Sequence, residues 1–431
     1  MNRVLDIWWD GRLVGRLRQP RPAALEFAYA DDWLRDDRAP ALSASLPKRA
    51  EQYSRRQCRP FFAGLLPEET QRDRVARSLG VSPLNDFALL DRLGGDVAGA
   101  LQLLPPGEAP TDLESDYSPQ PLDDAALIEV LDRLPWRPLL AGEAGLRLSL
   151  AGAQSKLPVV TVDGQIAPPA PGQPTTHILK PAIPDFPHTT ENEAFVMRLA
   201  RAVGLDVASV EPRRVGDRTF LLVARYDRST GRDGRVRRVH QEDFCQALGI
   251  PPEAKYAAEG GPDLKDGFEL LRRVALRPAV DVLKLLDATI FNLIVGNADA
   301  HGKNFSLLYD TAGPRLAPLY DLVMTAEYPE LSPALAMPIG GCARLAEMGP
   351  HSWAAFAEGG TLGLPLVRRR VAEIGESVIR EAQNVAQELV TPGLDAEALS
   401  RFRDTVVGRA EQCMASTSAG AGRVSRTPTG S

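Results

Sequence analysis

The chain has 431 residues, of which 44% are hydrophobic and 25% are charged. These proportions are typical of a globular protein with a sizeable buried core, and the length corresponds to about three domains of roughly 150 residues each. Because 50 basic and 56 acidic side chains leave a net charge of −6, the chain is not expected to bind nucleic acid by itself, and any contact with DNA would need a basic partner.

The cysteines and the apolar residues exclude several other classes of protein. Four cysteines lie far apart without a CxxC pair, so neither a zinc ribbon nor a disulfide framework is expected, and the reducing cytoplasm is the predicted location. The N-terminus has no basic segment followed by an apolar run, and no stretch of about 18 apolar residues occurs. Secretion, membrane spanning and a membrane partner are therefore not expected.

Residues 1–106 are predicted to form a first unit that opens with β structure. Residues 4–17 read as two alternating strands joined by Asp10-Gly11, a dipeptide typical of tight hairpin turns. A helix is predicted over residues 69–79, and a turn that leads into a strand is predicted within residues 94–104.

Residues 107–240 are predicted to form a linker followed by a small sheet. The stretch 107–121 is rich in Pro, Asp, Glu and Ser, a composition typical of a linker. Short strands are predicted at 157–162, 177–180 and 220–226.

One helix, at residues 191–203, is predicted between the strands of this sheet. Phe195, Leu199 and Val203 recur four residues apart and therefore predict a buried face. Gly204 is a typical helix stop, and Thr190 is the predicted N-cap.

Residues 241–412 are predicted to be helical. Further helices are predicted at 366–390 and 396–410, after one helix with an apolar stripe. The stripe consists of Leu283, Leu286, Ile290, Leu293 and Ile294. Residues 413–431 are predicted to form a disordered tail, because almost nothing is apolar from residue 416 onward.

The most informative segment for function is 295–306, which places Asp299 five residues before Asn304. Phosphoryl transfer needs a carboxylate that accepts or orients the attacking hydroxyl and a nearby oxygen ligand for Mg²⁺, and this pair supplies both. Asp321 would add a further hard-oxygen ligand. The alternative is an ordinary polar turn after a helix, and from this segment alone the two interpretations carry about equal weight.

Residues 149–156 form a second candidate segment, in which small residues precede a predicted strand. Small side chains let backbone N–H groups approach phosphate oxygens. A tight turn before the strand is the alternative, and this motif by itself favours the turn.

Lys180 and Glu193 form a third candidate feature. Lys180 closes a predicted strand, as does the kinase lysine that holds the α and β phosphates, although an exposed lysine at a strand end would look the same. Glu193 could orient Lys180 as an ion-pair partner. Equally, Thr190 and Glu193 fit a capping box, in which Glu193 bonds back to the Thr190 amide.

The order of these features favours one function over the alternatives. A loop of small residues, a strand lysine, a helix glutamate, an Asp-to-Asn loop and a further aspartate follow one another as they do in a two-lobed kinase. Five weak signals in that order together indicate a kinase.

The residues resemble the HipA family, the serine/threonine-kinase toxins of bacterial toxin–antitoxin pairs. The resemblance covers nearly the whole chain before residue 412. The matching motifs are GLLPE at 64–68, VAGALQ at 97–102, LAGAQSK at 150–156, ILKP at 178–181, ENE at 191–193, RYDR at 225–228, QEDFCQALG at 241–249, KY at 255–256 with GGP at 260–262, DAHGKNFS at 299–306 and PLYD at 318–321.

The resemblance implies an α+β, two-lobed protein-kinase-like fold that binds ATP and Mg²⁺. A mixed α/β N-terminal part with an extra N-terminal subdomain would pack on an all-helical C-terminal lobe, with ATP between them. Asp299 would be the catalytic base, Asn304 and Asp321 would hold Mg²⁺, and residues 241–244 would be the hinge that meets adenine through its backbone. The nucleotide would be contacted by Ala151, Gly152, Ala153, Gln154, Lys156, Lys180, Glu242, Phe244, His301 and Lys303.

Ser149 matches the serine that the family phosphorylates on itself. Nearly two added negative charges would repel the nucleotide phosphates and disfavour the closed loop, which gives self-inactivation a physical mechanism. Two positions depart from the family pattern: Ser155 stands where the loop often has Glu, and Ala224 replaces a frequent acidic residue. Neither is one of the three aspartate and asparagine residues of the predicted catalytic centre, so activity is still expected.

The family also implies partners. A HipB-like DNA-binding antitoxin would neutralise the toxin, supply the basic surface that this chain lacks and co-repress the operon with it. The protein substrate would belong to translation, such as an aminoacyl-tRNA synthetase. Two other interpretations stay open: a catalytically silent corepressor that binds the antitoxin, and a small-molecule kinase, which the extra N-terminal subdomain disfavours.

Overall fold

The computed structural model describes residues 3–110, 119–143, 146–391 and 393–418. Runs of strands and runs of helices follow one another along the chain, so the predicted α+β class is confirmed. Residues 111–118 of the predicted linker and residues 419–431 of the predicted tail lie outside the described residues. Within the described residues, no helix is long and apolar enough to cross a membrane.

An N-terminal unit is built on a four-stranded antiparallel sheet, in the order β3-β2-β1-β4. The predicted hairpin is confirmed, because Asp10 and Gly11 both have positive φ (49° and 72°), as a two-residue turn requires. The elements are β1 (Arg3–Trp9), β2 (Arg12–Gln19), β3 (Glu26–Tyr29), α1 (Asp31–Arg35), α2 (Arg55–Ala63), α3 (Glu69–Leu79), α4 (Asp86–Leu93) and β4 (Leu101–Leu104). The helix predicted over residues 69–79 is α3.

A second, five-stranded antiparallel sheet has the order β6-β5-β7-β9-β8, so that β7 is its central strand. The strand predicted at 220–226 is β9, which lies two residues earlier than expected. The elements are α5 (Asp124–Arg133), β5 (Leu157–Val162), β6 (Gln165–Ala167), β7 (His177–Pro181), α6 (Thr189–Ala202), β8 (Val210–Val215), β9 (Arg218–Ala224) and the separate hairpin of β10 (Arg228–Thr230) and β11 (Val236–Arg238).

Helix α6 begins differently from the prediction. Its N-cap is His188, which has a positive φ of 58°, so the predicted N-cap role of Thr190 is wrong. Thr190 lies buried in the first turn, and its hydroxyl has no hydrogen-bond partner among the described residues. Phe195 and Leu199 of the predicted buried face are fully buried, whereas Val203 is half-buried and follows the last residue of the helix.

The C-terminal part is mainly helical but includes a three-stranded sheet, β12-β13-β14, so the expectation of an all-helical lobe is corrected. Four positions of the predicted apolar stripe are fully buried, whereas Leu283 is 37% exposed. The elements are β12 (His240–Asp243), α7 (Phe244–Leu248), α8 (Leu264–Val274), α9 (Pro278–Val295), β13 (Ser306–Asp310), β14 (Gly313–Leu316), α10 (Pro350–Gly359), α11 (Leu364–Val390) and α12 (Ala396–Ala415). The largest apolar core joins these helices to α6.

The last helix is longer than predicted, and it corrects the start of the predicted tail. Cys413 is fully buried in α12, and the indole of Trp353 donates a hydrogen bond to the hydroxyl of Ser416 (2.8 Å). Apolar residues recur every three to four positions as far as Cys413, as in a helix with one buried face. The polar composition of residues 416–431 obscured this continuation of the helix. Residues 413–418 are therefore part of the packed structure.

A buried network of charges joins the N-terminal unit to the second sheet. Asp96 follows α4, and its carboxylate contacts Arg225 (3.2 Å), Arg228 (2.9 Å) and Arg238 (2.8 Å). Arg225 also pairs with Asp227 (2.7 Å), whose carboxylate accepts the amide N–H of Gly99. Burial would raise the pKa of Asp96, but the three guanidinium groups outweigh it and lower the pKa.

Loss of the Asp96 charge should destabilise the protein. Asp96→Asn leaves buried guanidinium groups with too little counter-charge, so we expect the free energy of unfolding to fall by about 3–5 kcal/mol. Denaturant unfolding monitors the loss. Asp91→Asn is the matched control, because Asp91 pairs with Arg3 at the surface (2.7 Å), where such a pair contributes about 0–1 kcal/mol. Equal losses in the two variants would contradict this role of the network.

The end of α12 provides a second prediction. A chain that ends at Gln412 lacks Cys413 and the partner of Trp353, whereas a chain that ends at Ser418 keeps both. Because the shorter chain loses a buried side chain and a hydrogen bond, we expect it to be less stable by about 2 kcal/mol. Thermal unfolding of the two truncated proteins makes the comparison, and equal midpoints would show that 413–418 contribute nothing.

Candidate active site

Lys180 lies at the centre of the candidate site, on the central strand β7. Its ammonium nitrogen lies 2.7 Å from Glu193 Oε1 and 2.6 Å from Asp321 Oδ1. Glu193 comes from α6. Of the two interpretations of Glu193, the structure contains the ion pair with Lys180 and not the capping box, since the N-cap is His188. Two carboxylates, 13 and 141 residues away in the sequence, thus converge on one lysine.

The charges of these groups depend on one another. Burial alone would lower the pKa of Lys180, but Asp321 and Glu193 outweigh it and raise the pKa. Exclusion of water by the surrounding protein would raise the pKa of Asp321, yet Lys180 and Lys156 lower it. Burial raises the pKa of Glu193 against the opposing effect of Lys180. Asp321 is therefore the carboxylate that stays ionised most readily.

Asn304 and Asp321 meet as predicted. Asn304 donates from Nδ2 to Asp321 Oδ2 (3.2 Å), and its Oδ1 accepts the His301 amide (3.2 Å). Asp321 has a positive φ of 58°, which is uncommon for a residue other than glycine. The described residues hold no group of three or more His, Cys, Asp or Glu side chains suited to a metal, so this pair is an amide and a carboxylate rather than a closed metal cage.

Asp299 lies in the same loop and keeps access to solvent. The loop begins where α9 ends at Gly296, which has a positive φ of 75°. Tyr256 donates its hydroxyl hydrogen to Asp299 Oδ1 (2.9 Å). The protein packed around Asp299 raises the pKa of its carboxyl group, and the hydrogen bond from Tyr256 acts in the opposite direction.

The loop of small residues lies against the N-terminal unit. Gly152, with a positive φ of 112°, donates its amide to Glu68 Oε1 (3.1 Å) and accepts the Glu68 amide (3.3 Å). Lys156 donates to the carbonyl of Ala151 (2.7 Å), and Gln154 donates to the carbonyl of Pro181 (3.4 Å). Ala153 is exposed.

Lys156 lies close enough to the centre of the site to sense its charges. Burial, together with the positive charge of Lys180, lowers the pKa of Lys156 to about 8. Both lysines therefore present ammonium groups at one site at neutral pH.

Glu68 is a functional candidate that was not predicted. It lies within one of the sequence motifs, but the motif alone indicated no role for it. Besides Gly152, its buried carboxylate contacts Lys255 (3.1 Å) and Lys303 (3.6 Å). Burial would raise the pKa of Glu68, but these two lysines lower it. Three backbone segments, 151–156, 255–256 and 299–306, thereby meet at one carboxylate from the N-terminal unit. The sequence motif GLLPE at 64–68 could have indicated this role, because Glu68 is the only charged residue in it.

Ser149 is fully buried beneath the same loop. Its hydroxyl donates to the carbonyl of Leu65 (2.7 Å), and its amide donates to the carbonyl of Asp96 (2.9 Å). Ser155, the position that departs from the family pattern, donates to Gln71 in α3 (3.1 Å). The loop is therefore tied to the N-terminal unit at Ser149, Gly152 and Ser155.

The predicted hinge differs in detail from expectation. The amide of Phe244 donates to the carbonyl of Phe305 (2.9 Å), so it is already engaged and does not offer itself to a base. The side chain of Glu242 turns to the N-terminal unit, where its carboxylate accepts the amide of Ala44 (2.9 Å) and the hydroxyl of Ser43. Strand β12 is nevertheless an edge strand. The backbone N–H and C=O groups on its outer side are therefore not paired with another strand of this sheet.

Two other predicted contact residues lie near the centre without reaching Lys180. Lys303 donates to Asp243 (2.6 Å). His301 is buried, burial lowers its pKa to about 4, and its Nδ1 has no hydrogen-bond partner among the described residues. Asp243 was not singled out by sequence reasoning, although the motif at 241–249 contains it.

Comparison with known proteins identifies the family of the chain. A family model described as the HipA-like C-terminal domain matches residues 148–386, and one described as the HipA N-terminal domain matches residues 5–104. The chain belongs to the HipA family. The resemblance that its motifs predicted is thus confirmed.

Individual HipA-family members are similar over most of their length. A protein of Sinorhizobium fredii described as "Putative kinase Y4mE" is 62% identical over 411 residues, which are 95% of this chain and 98% of that protein. The serine/threonine-protein kinase toxin HipA of Shewanella oneidensis is 32% identical over 405 residues, 89% of each chain. HipA in a solved complex of that organism's HipA, HipB and operator DNA has a TM-score of 0.82 at 29% identity, with coverage of 95% and 97%. The kinase-like α+β fold of the HipA family is therefore confirmed for this chain.

The contact between Glu68 and Gly152 yields a third prediction. Glu68→Gln has one acceptor oxygen in place of two and cannot satisfy Gly152 and both lysines. Because a hydrogen bond to a charged group contributes about 1.5–3 kcal/mol, we expect the loop to open more often and trypsin to cleave after Lys156 roughly tenfold faster. Limited proteolysis followed by mass spectrometry measures the rate.

Glu69→Gln is the control for this experiment. Glu69 is more than half exposed and contacts Lys255 (2.8 Å) but not Gly152, so its loss should leave cleavage after Lys156 unchanged. Equal acceleration in both variants would mean that Glu68 does not hold the loop.

Proposed function

We propose that the protein is an ATP-dependent serine/threonine protein kinase that acts as a toxin. The observation that carries the proposal is the convergence on Lys180, which contacts Glu193 on one side and Asp321 on the other, with Asn304 on the second oxygen of Asp321. This is the arrangement of strand lysine, helix glutamate, metal-binding aspartate and loop asparagine that protein kinases use. Membership of the HipA kinase family supports the same activity.

The side chains fit ATP and Mg²⁺ chemically. Asn304 and Asp321 would hold Mg²⁺, since amide and carboxylate oxygens are ligands that this ion prefers alongside phosphate oxygens. Lys180 and Lys156 would neutralise the phosphates, and the backbone of 151–154 would approach them. His301, with its unpartnered buried Nδ1, and Lys303 complete the proposed nucleotide contacts.

The adenine would meet the outer edge of β12 at the backbone of Glu242. Phe244 would contribute its buried ring rather than its amide, because the amide is bonded to Phe305. The burial of Glu242 raises the pKa of its carboxyl group to about 7, and its side chain is engaged with Ser43 and Ala44 of the N-terminal unit.

The phosphoryl transfer itself would need little covalent chemistry from the protein. Mg-ATP supplies the phosphoryl group when it is bound, and Asp299 would accept the proton of the attacking serine or threonine hydroxyl. Lys180 would hold phosphate oxygens in line, while Glu193 keeps Lys180 in place. The remaining contribution is positioning, because Lys180 already contacts Glu193 and Asp321, and Asp321 contacts Asn304.

Ser149 is the proposed autophosphorylation site and off switch. In the structure its hydroxyl is buried against Leu65, so the loop must open before the hydroxyl can be phosphorylated. A phosphate with nearly two negative charges has no place beneath the loop, which would then stay open and lose Gly152 and Lys156 from the nucleotide site. This supports phosphorylation as a self-limiting step.

The proposed partner is a HipB-like DNA-binding antitoxin that neutralises the toxin and represses the operon with it. The Shewanella relative was solved with HipB and operator DNA, and the acidic net charge of this chain suits DNA contact only through such a partner. A translation component such as an aminoacyl-tRNA synthetase is the proposed substrate, on the family resemblance alone. The alternative is a silent corepressor, which the same complex would also suit.

The deciding experiment starts from protein freed of phosphate by a phosphatase. Wild type, Asp299→Asn and the control Asp310→Asn, in which a surface carboxylate paired with Arg315 is changed, are incubated with Mg-ATP and analysed by phosphopeptide mass spectrometry. We expect phosphate on Ser149 in wild type and Asp310→Asn and none in Asp299→Asn. Absence of phosphate from all three, together with unchanged operon repression by Asp299→Asn, would favour the silent corepressor.

A further inference from the structure

Tyr256 contacts the proposed catalytic base directly. Its hydroxyl donates to Asp299 Oδ1 at 2.9 Å, and its ring packs edge-on against the ring of His301 with centroids 5.3 Å apart. Within the described residues, Tyr256 is the only side chain that donates a hydrogen bond to the carboxylate of Asp299. The other oxygen, Oδ2, accepts no hydrogen bond there and so keeps its capacity to accept a proton.

The backbone that carries Tyr256 is held in place on both sides. The carbonyl of Lys255 accepts the amide of Gly302 (3.3 Å), which ties the segment to the proposed catalytic loop, and the carbonyl of Tyr256 accepts the amide of Gly261 (2.9 Å). A Cβ atom at Gly261 would lie 2.3 Å from the carbonyl oxygen of Ala254, so the turn admits only glycine. A tyrosine on a segment fixed in this way can restrict the rotation of a side chain that it contacts.

The charges around Asp299 do not replace this hydrogen bond. Lys255 lies near enough to attract the carboxylate, but its ammonium group contacts Glu68 and Glu69 instead. Asp321 and Glu69 repel the charge on Asp299. Without Tyr256 the carboxylate would therefore lose the contact that fixes its rotation.

We infer that Tyr256 is a positioning residue for Asp299: it fixes one carboxylate oxygen so that the other faces the acceptor hydroxyl as the base. The inference rests on the proposed function, because it assigns Tyr256 a task only if Asp299 accepts the proton. A carboxylate free to rotate would meet the hydroxyl in a productive geometry for a smaller fraction of the time, which lowers the rate of transfer but not the binding of the nucleotide.

The test compares Tyr256→Phe with wild type, Asp299→Asn and Tyr53→Phe. Tyr53 is the matched control, since its hydroxyl donates to the carbonyl of Pro47 within the N-terminal unit. Each protein is first freed of phosphate, and the initial rate of transfer from γ-labelled ATP into the protein is measured over a range of ATP concentrations. Thermal unfolding of each variant verifies that it is folded.

We expect the maximal rate of Tyr256→Phe to fall by roughly tenfold or more, as loss of a hydrogen bond to a charged group implies. Its apparent KM for ATP should stay within about twofold of the wild-type value, and Tyr53→Phe should match wild type in both constants. A maximal rate equal to that of wild type, or a loss confined to KM, would overturn the inference while leaving the proposed kinase intact. Transfer that persists in Asp299→Asn would instead contradict the proposed function, and the role of Tyr256 with it.

Discussion

The buried cluster of Asp96 and Asp227 with three arginines is the interaction on which the relation between the units depends. Charges this deeply buried are tolerated only when they are fully paired, and here the pairs come from the N-terminal unit, from the end of β9 and from the hairpin that follows it. Displacing the N-terminal unit would separate Asp96 from the three arginines that it pairs with. The subdomain is thereby fixed against the kinase-like sheet, and the loop that it touches is fixed with it.

The position of the N-terminal unit matters because it supplies a residue to the candidate site. Glu68 lies at its edge and bonds to Gly152, Lys255 and Lys303 at once, so the small-residue loop, the segment with Tyr256 and the proposed catalytic loop share one anchor. Without this unit Lys255 would lose Glu68 and Glu69, and Lys303 would lose Glu68 but keep Asp243. The candidate site is therefore a property of the whole chain, and not of the two lobes alone.

The sequence predicted those features that depend on local pattern. The hairpin at Asp10-Gly11, helix α3 and the buried face of α6 follow from turn chemistry and apolar spacing, and the family motifs led to the kinase-like fold. It could not predict contacts between residues far apart in the chain. The N-cap of helix α6 is His188 rather than Thr190, and Glu193 pairs with Lys180, a tertiary contact that overrides the local capping signal.

The same limit explains the other corrections. Strand β12 needs β13, which lies more than 60 residues later, to form a sheet, so a stretch that looks like the start of a helical lobe is partly β. Cys413 and Ser416 look like a polar tail until Trp353 is brought beside them. The role of Glu68 could not be predicted from its motif, because its partners are residues 152, 255 and 303, which are distant in the sequence.

The burial of Ser149 has a consequence in time. A hydroxyl held beneath a loop is modified at the intrinsic rate of transfer multiplied by the fraction of molecules in which the loop is open, and each 1.4 kcal/mol of additional closing free energy slows that modification about tenfold. The contacts of Ser149, Gly152 and Ser155 with the N-terminal unit would thus set the rate at which Ser149 is phosphorylated. Their summed strength would decide how long a newly made molecule works before it silences itself.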